Sequence, residues 1–282
     1  MGWLRFDKSD FHGLGTCLVV RTLRGKSLML QKSKSQLTAA PENLFVVNEE
    51  CDKLSESQRE IFHSCVAKVL YFSKRARGDI LPSISFLTKR VKGPNKDDWV
   101  KLSHMVKYLK ETKDMPLILG SDGSDNLYWY ADSAFAVHKD MKSHTGAGLT
   151  FGRGFAISVS TGQKLNTGSS THAELVAVSN ILPMFQWVRL FLLSQGVIIA
   201  RNNIYQDNQS AELLADNGKK SSGKQTHHLN IRYFLVTDAI AKGECETVWI
   251  PREGMYADFQ TKTQQGADFR RMRDIWMGVN HI

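Results

Sequence analysis

Cysteine is scarce in this sequence and follows no pattern. The four residues, Cys17, Cys51, Cys65 and Cys245, are scattered along 282 positions without a Cys-x-x-Cys pair. That argues against a zinc site and a disulfide framework, and predicts a reducing compartment. Long apolar runs are also missing. The nearest, 191–200, is interrupted by Ser194, Gln195 and Gly196, far from the roughly 20 residues that a membrane span needs. Asp7 and Asp10 fall where a secretory signal requires an apolar core, so neither secretion nor a membrane partner is expected.

What is present suits a globular chain. Hydrophobic residues make up 42% and charged residues 23%, enough for one large domain or two modest ones. The net charge of +9 is unevenly spread. Residues 51–120 hold 14 Lys/Arg against 8 Asp/Glu, whereas 121–282 hold 16 against 15. A basic block of this kind suits a polyanionic partner, and equally a solvated helical face.

Residues 1–50 carry little signal beyond a small hairpin, 18–20 with 28–30, and a polar linker, 33–42. Residues 54–113 read as helical. Ser55 and Gln58 fit a capping box, with Phe62, Cys65, Val66, Val69 and Leu70 behind them as one stripe. A second helix opens at Asn95, with Asp97 and Asp98 in its first turn. Trp99, Leu102, Val106 and Leu109 form its apolar face, and Lys96, Lys101, Lys107, Lys110 and Lys113 share the rest. The stretch 116–125 reads as the exit from a small basic bundle.

From residue 127 the pattern turns to strands: 127–137, then 146–151 and 154–160, as an antiparallel meander. A long helix follows from Thr171, with Pro183 expected to kink or break it. Then come a strand at 203–206, a short helix at 211–215, a flexible basic loop at 217–225, a helix at 229–241, a strand at 247–250 and a last helix near Tyr256. This order predicts a mixed sheet with helices on its faces.

Four acids fall at telling places in that scheme. Asp132 interrupts an apolar strand, where an unpaired carboxylate is costly. Glu174 lies in the first turn of the long helix, Asp207 ends the strand after it, and Asp258 starts the last helix. Separate roles exist for three of them: Thr171 and Glu174 spell a capping box, while Asp207 and Asp258 fit as N-caps. Jointly, the four have the layout of a carboxylate cluster for hard divalent cations.

The segments around these acids resemble a known family. YADSAF around Asp132, KSHTGAGLTFGRG from Lys142, KLNTGSSTHAELVAV around Glu174, YQDNQSA around Asp207, HHLNIRYF from His227 and YADFQTK around Asp258 closely resemble the ribonuclease H domain of copia-type retrotransposon Pol polyproteins. They occur in the same order and at compatible spacings. Upstream, FHSCVAKVLYFSKRARGDILPSISFLTKRV and DDWVKLSHMVKYLKETKDMPLIL are similar to the thumb-like segment joining reverse transcriptase to ribonuclease H. Residues 1–41 only loosely resemble the end of a polymerase palm.

The resemblance implies an α/β (α+β), ribonuclease H-like mixed five-stranded sheet flanked by helices. It also implies three parts: a palm remnant and linker at 1–50, a basic helical thumb or connection at 51–120, and the ribonuclease H-like domain at 121–282. Asp132, Glu174, Asp207 and Asp258 would hold two Mg²⁺ ions, with Mn²⁺ able to substitute. The RNA strand of an RNA–DNA hybrid would be the substrate. Hybrid contacts are expected from Lys142, His144, Lys164, Asn208, Lys224, His228 and Arg232, with Lys219 and Lys220 beside them, and from Lys101, Lys107 and Lys110 on the helical part. His228 and Arg232 serve equally well as helix-packing residues. The remainder of a Pol polyprotein is a further expected partner. The expected location is the cytoplasm, a virus-like particle there included, or the nucleus.

Three departures from the family pattern bear on activity. The Tyr-x-Asp-Asp polymerase motif is absent, so no polymerase activity is expected. His172 stands where the family usually has a first Glu before the metal-binding one. The loop PREGMYAD before Asp258 lacks the histidine that many cellular ribonucleases H carry there. A catalytically silent nucleic-acid-binding remnant is therefore the alternative, and a different metal nuclease on the same fold a third reading.

Overall fold

The computed structural model describes residues 18–20, 38–208 and 227–279. The expected strand 28–30, the helix 211–215 and the loop 217–225 lie outside the described residues.

Local capping fixes the helical part. The Ser55 side chain accepts from the Gln58 N–H while the Gln58 side chain accepts from the Ser55 N–H at 3.2 Å, opening α1 (Glu56–Ala76). Phe62, Cys65 and Val66 are its buried stripe. Pro82 sits in the first turn of α2 (Leu81–Thr88), whose residues 81–87 are all buried, as expected of a helix apolar nearly all round. Asn95 and Asp98 close a second reciprocal box at the start of α3 (Lys96–Glu111).

The expected apolar face of α3 does meet the core, with Leu102 buried and Trp99, Val106 and Leu109 packed half-buried against it, but the buried side extends past that face. Asp98, Lys101, Leu102, Met105 and Tyr108 are buried, and Val100 is exposed. Lys101, expected on the solvated basic face, is 2% exposed. Its ammonium pairs with Asp97 at 2.8 Å, donates to the Val46 carbonyl and lies 5.0 Å over the Phe86 ring. The expectation that Lys101 contacts nucleic acid is therefore wrong. Its charge is spent inside the protein, where a buried cation needs partners. Arg77 is likewise buried, forking onto Asp79 at 2.8 and 2.7 Å and reaching the Thr112 carbonyl at 2.9 Å.

The strands build two sheets. β1 (Leu18–Val20), β2 (Leu117–Ser121) and β5 (Gly152–Arg153) form a small one in the order β1-β2-β5. The segment read as a bundle exit is thus its central strand. The main sheet comprises β3 (Asn126–Ala134), β4 (His144–Thr150), β6 (Phe155–Gly162), β7 (Arg201–Gln206) and β8 (Glu246–Trp249), ordered β6-β4-β3-β7-β8. The β3, β4 and β6 strands run antiparallel as a meander, whereas β7 and β8 are parallel to β3. A parallel neighbour requires a crossover, and α4 (Ser170–Ser194) supplies it. The helices α5 (His227–Ala241), α6 (Asp258–Thr261) and α7 (Gly266–Trp276) complete the chain. The expected mixed five-stranded sheet flanked by helices is present.

Alternation along β3 divides the core. Leu127, Trp129 and Ala131 pack with Ile181, Phe185 and Val236 on the α4 side. Tyr130 lies on the other face, in one cluster with Phe62, Ile84, Tyr108, Phe155, Phe259 and Trp276. The helical part and the sheet therefore share a continuous core.

α4 runs unbroken through Pro183. Ile181, Leu182 and Phe185 are buried on both sides of the proline, and that packing offsets the roughly 3 kcal/mol that an internal proline costs a helix. By length and composition this helix is apolar enough to cross a membrane, contrary to the reading of the apolar runs. Half of its most apolar window is buried within the protein.

Candidate metal centre and nucleic-acid interface

Sheet register brings the first two acids together. β3 and β7 pair in parallel from Asn126↔Arg201 to Tyr130↔Tyr205. Continued two residues beyond the last pair, that register sets Asp207 level with Asp132 at the carboxyl ends of both strands, where open α/β sheets place their sites. The Asp207 backbone is tied down by Trp249 on β8, whose indole N–H donates to the Asp207 carbonyl at 3.2 Å.

Glu174 reaches the same place from the helix. The Ser169 side chain caps α4 by accepting from the His172 N–H at 3.2 Å. Glu174 therefore lies two residues further in than a capping-box residue, so the Thr171–Glu174 box does not form. Its Oε1 instead accepts from the Ser133 N–H at 3.1 Å and the Ser133 hydroxyl at 2.9 Å. Its Oε2 is buried and has no hydrogen-bond partner. A buried carboxylate oxygen left unmatched is costly, and points to a ligand.

Carboxyl oxygens of Asp132, Glu174 and Asp207 lie within 4.8 Å of one another. They line an open cleft of about 440 Å³ together with Ser133, Asn208, Trp249, Arg252 and Lys262. Asp258, expected to complete the shell of the second ion, stands beside this trio. It is the first residue of α6, and its Oδ1 takes the Lys262 ammonium while Arg252 lies 4.0 Å from its Oδ2. Its expected role as an N-cap falls away, because Ala257 holds that position. The Thr261 hydroxyl donates to Asp132 Oδ2.

Burial raises all three acids of the trio, and the neighbouring carboxylates add to it. Burial pushes Asp132 up to about 7, with Lys262 pulling it down and Asp258 pushing it further up. Glu174 is raised well above the usual carboxylate range, first by burial and then by Asp132. Burial and then Asp258 raise Asp207. An all-oxygen donor set, with one unmatched oxygen and three carboxyls that resist ionising together, fits a hard divalent cation.

The other expected contacts scatter. Lys164 and Lys110 are exposed, while Lys107, Lys142 and Asn208 are half-buried. Lys142 pairs with Asp140 at 2.9 Å, and Asn208 lines the cleft. His144 is the second correction: it is fully buried, its ring between His138 at 3.0 Å and Ser160 at 2.8 Å. Burial and its histidine neighbour hold it well below the normal imidazole range, and it cannot meet a nucleic acid. Arg232 donates at 2.7 Å to both Ser179 and Asn180, the packing role between α5 and α4. His228 lies in α5; Lys219, Lys220 and Lys224 lie outside the described residues.

Sequence reasoning missed Lys262, Arg252, Trp249 and Ser133 as cleft residues. A signal existed for the first: Lys262 follows Asp258 at i,i+4, the spacing of a helical ion pair.

No protein-family model matches the chain. Among curated proteins it is 27% identical over 216 residues to the retrovirus-related Pol polyprotein from transposon TNT 1-94 of Nicotiana tabacum, covering 76% of this chain and 16% of that protein. It is 27% identical over 208 residues to the Pol polyprotein from transposon RE1 of Arabidopsis thaliana, covering 73% and 14%. The chain thus spans about a seventh of these relatives' length. Among solved structures, LC11-RNase H1 in complex with an RNA/DNA hybrid aligns with a TM-score of 0.35 and 13% identity, over 48% of this chain and 93% of that one. The prototype foamy virus protease-reverse transcriptase aligns with a TM-score of 0.29 and 11% identity, over 54% and 20%. Over most of its length, the chain is a distant homologue of the Pol polyproteins of copia-type retrotransposons.

Proposed function

We propose that the C-terminal part of this chain is a ribonuclease H-type endonuclease that hydrolyses the RNA strand of RNA–DNA hybrids. The observation that carries this reading is the convergence of Asp132, Glu174 and Asp207 in one open cleft, with Glu174 Oε2 buried and unmatched. Mg²⁺ as a pair of ions, or Mn²⁺ in its place, would be held by these three acids with Asp258, and would supply there water activation and stabilisation of the leaving 3′ oxygen.

The chain's own residues do the positioning. Ser133 aims Glu174 through two hydrogen bonds, and Thr261 fixes one oxygen of Asp132. Asn208 and Trp249 stand at the cleft rim, where a hybrid's minor groove offers 2′-hydroxyls and sugar faces. Arg252 and Lys262 supply positive charge for the phosphate backbone entering a cleft of carboxylates. Lys107 and Lys110 on the helical part 51–120 would add phosphate contacts that carry no sequence information. The sequence carries no Tyr-x-Asp-Asp polymerase motif, so the proposed chemistry rests on the cleft.

The second reading, a silent nucleic-acid-binding remnant, is favoured by one observation: Lys262 already pairs with Asp258 and neutralises part of the cluster. One assay separates the readings. Labelled RNA–DNA hybrid, duplex DNA and duplex RNA are each incubated with the protein and Mg²⁺, beside Asp132→Asn. Cleavage of the hybrid alone, lost in the variant, is the expected result. Hybrid binding without cleavage favours the remnant, and cleavage of duplex DNA favours another metal nuclease.

A further inference from the structure

The cluster is not symmetric in charge. On the Glu174 side no cationic side chain approaches the carboxyls among the described contacts, and one buried oxygen is unmatched. On the Asp258 side an ammonium is already in place. Lys262 directly follows α6 in extended backbone, and its side chain reaches back to Asp258 at the first position of that helix. Its N–H donates to the Asp258 carbonyl at 3.0 Å, its Nζ pairs with Asp258 Oδ1, and the same Nζ lies 3.9 Å from Asp132 Oδ2. With a side chain 35% exposed, it is neither buried structure nor a freely solvated lysine. It lines the cleft between two of the four acids.

Four ionised carboxylates facing Lys262 and the more distant Arg252 leave a net charge that one divalent cation balances. A second divalent cation on the Asp132–Asp258 edge would meet the ammonium at contact range, a like-charge opposition that a partly desolvated cleft screens weakly. Removing the ammonium frees Asp258 Oδ1 and takes that opposition away. Hard cations prefer carboxylate oxygens unencumbered by other donors.

We propose that Lys262 is a resident cation of this cluster: its ammonium holds the Asp132–Asp258 edge, so the cleft takes one divalent cation between Asp132, Glu174 and Asp207, and admits a second only when that side chain withdraws. This rests on the reading of the trio as a cation site and adds an order of loading to it. Lys262 is here a positioning residue, acting on the ions through Asp132 and Asp258.

Mn²⁺ titration of the full chain, with free Mn²⁺ followed by electron paramagnetic resonance, tests it without any activity. Wild type is expected to bind one Mn²⁺ tightly, whereas Lys262→Ala binds two, the second tighter than in wild type by about tenfold or more. Lys262→Arg, which restores a cation, is expected to return to one. Should Lys262→Ala fail to fold by circular dichroism, Lys262→Gln keeps the stem and carries the same expectation. Equal stoichiometry and affinity in wild type and the neutral variant overturns the assignment to Lys262 alone. No binding above that of Asp132→Asn in any folded variant overturns the cation reading of the trio, and this inference with it.

Discussion

Asp132 and Gly146 are register partners across β3 and β4, and the bare α-carbon of Gly146 lets α6 lie against the sheet. A β-carbon there would stand 2.5 Å from Thr261 Cγ2, 2.8 Å from Gln260 Cβ and 2.9 Å from the Ala257 carbonyl. The absence of a side chain on one strand thus places Thr261, Asp258 and Lys262 around a carboxylate on the next.

Gly146→Ala tests that placement. The clash includes backbone, which cannot rotate away, so α6 must shift. Overpacking of this kind typically costs about 1–3 kcal/mol. Urea denaturation should show a lower midpoint with an unchanged slope. The stabilisation by Mg²⁺ should shrink as well, because Asp258 and Thr261 leave their places together. A variant as stable as wild type, with a full response to Mg²⁺, would show that α6 is not held by this contact.

Asp132 makes metal-free stability depend on pH. Its folded carboxyl titrates at about 7, above the ordinary value near 3.9. The folded state therefore holds this proton more tightly than the unfolded chain. Stability from this group is complete below about pH 4, falls as pH rises towards 7 and is level above that, at most about 1.4 kcal/mol per unit between the two values. His138, lowered to about 4, and His144 act in the opposite sense over the same range. The readout is accordingly the difference between Asp132→Asn and wild type, which should grow in favour of the variant from pH 4 to 7 and then plateau. A difference flat across that range would remove Asp132 as the source.

Millimolar Mg²⁺ should invert that ranking at pH 7 and above. A ligand that binds only the folded state stabilises it by about 2.7 kcal/mol at a hundredfold excess over its dissociation constant. Wild type should gain melting temperature, while Asp132→Asn, lacking one of three ligands, should gain little. A calorimetric scan in which both respond alike would point to unspecific binding.

Where the local rule and the tertiary demand agreed, the sequence could be read directly. Ser55 with Gln58 forms the expected capping box, and Asn95 opens its helix as expected, with Asp98 in the first turn closing a second box. The antiparallel meander and the mixed sheet were legible as well, and three of the four acids expected to converge do so. The failures have a common cause: a partner distant in sequence decides. Thr171 and Glu174 spell a capping box, but Ser169 takes the cap and Ser133 takes Glu174. β2 is five residues long, and its partners lie near residues 18 and 153, so nothing local marks it. Lys101 and Arg77 add to the basic charge of 51–120 yet face Asp97 and Asp79. Counting charges cannot tell a solvated lysine from a satisfied buried one.

That distinction gives the sharpest test of the helical part. Lys107 and Lys110 remain on the accessible side of α3, and each phosphate contact they make should contribute close to one unit to the slope of log affinity against log salt. Lys107→Ala with Lys110→Ala is expected to weaken hybrid binding, flatten that slope and leave stability nearly unchanged. Lys101→Ala should do the reverse. It removes the ion pair to Asp97, the bond to Val46 and the stem packed over Phe86, at a cost of about 1–3 kcal/mol for the acceptors left without a donor, with the salt slope unmoved. A slope altered by Lys101→Ala but not by the outer pair would mean that α3 meets nucleic acid with the face now turned into the core, which the burial of Met105 and Tyr108 beside it opposes.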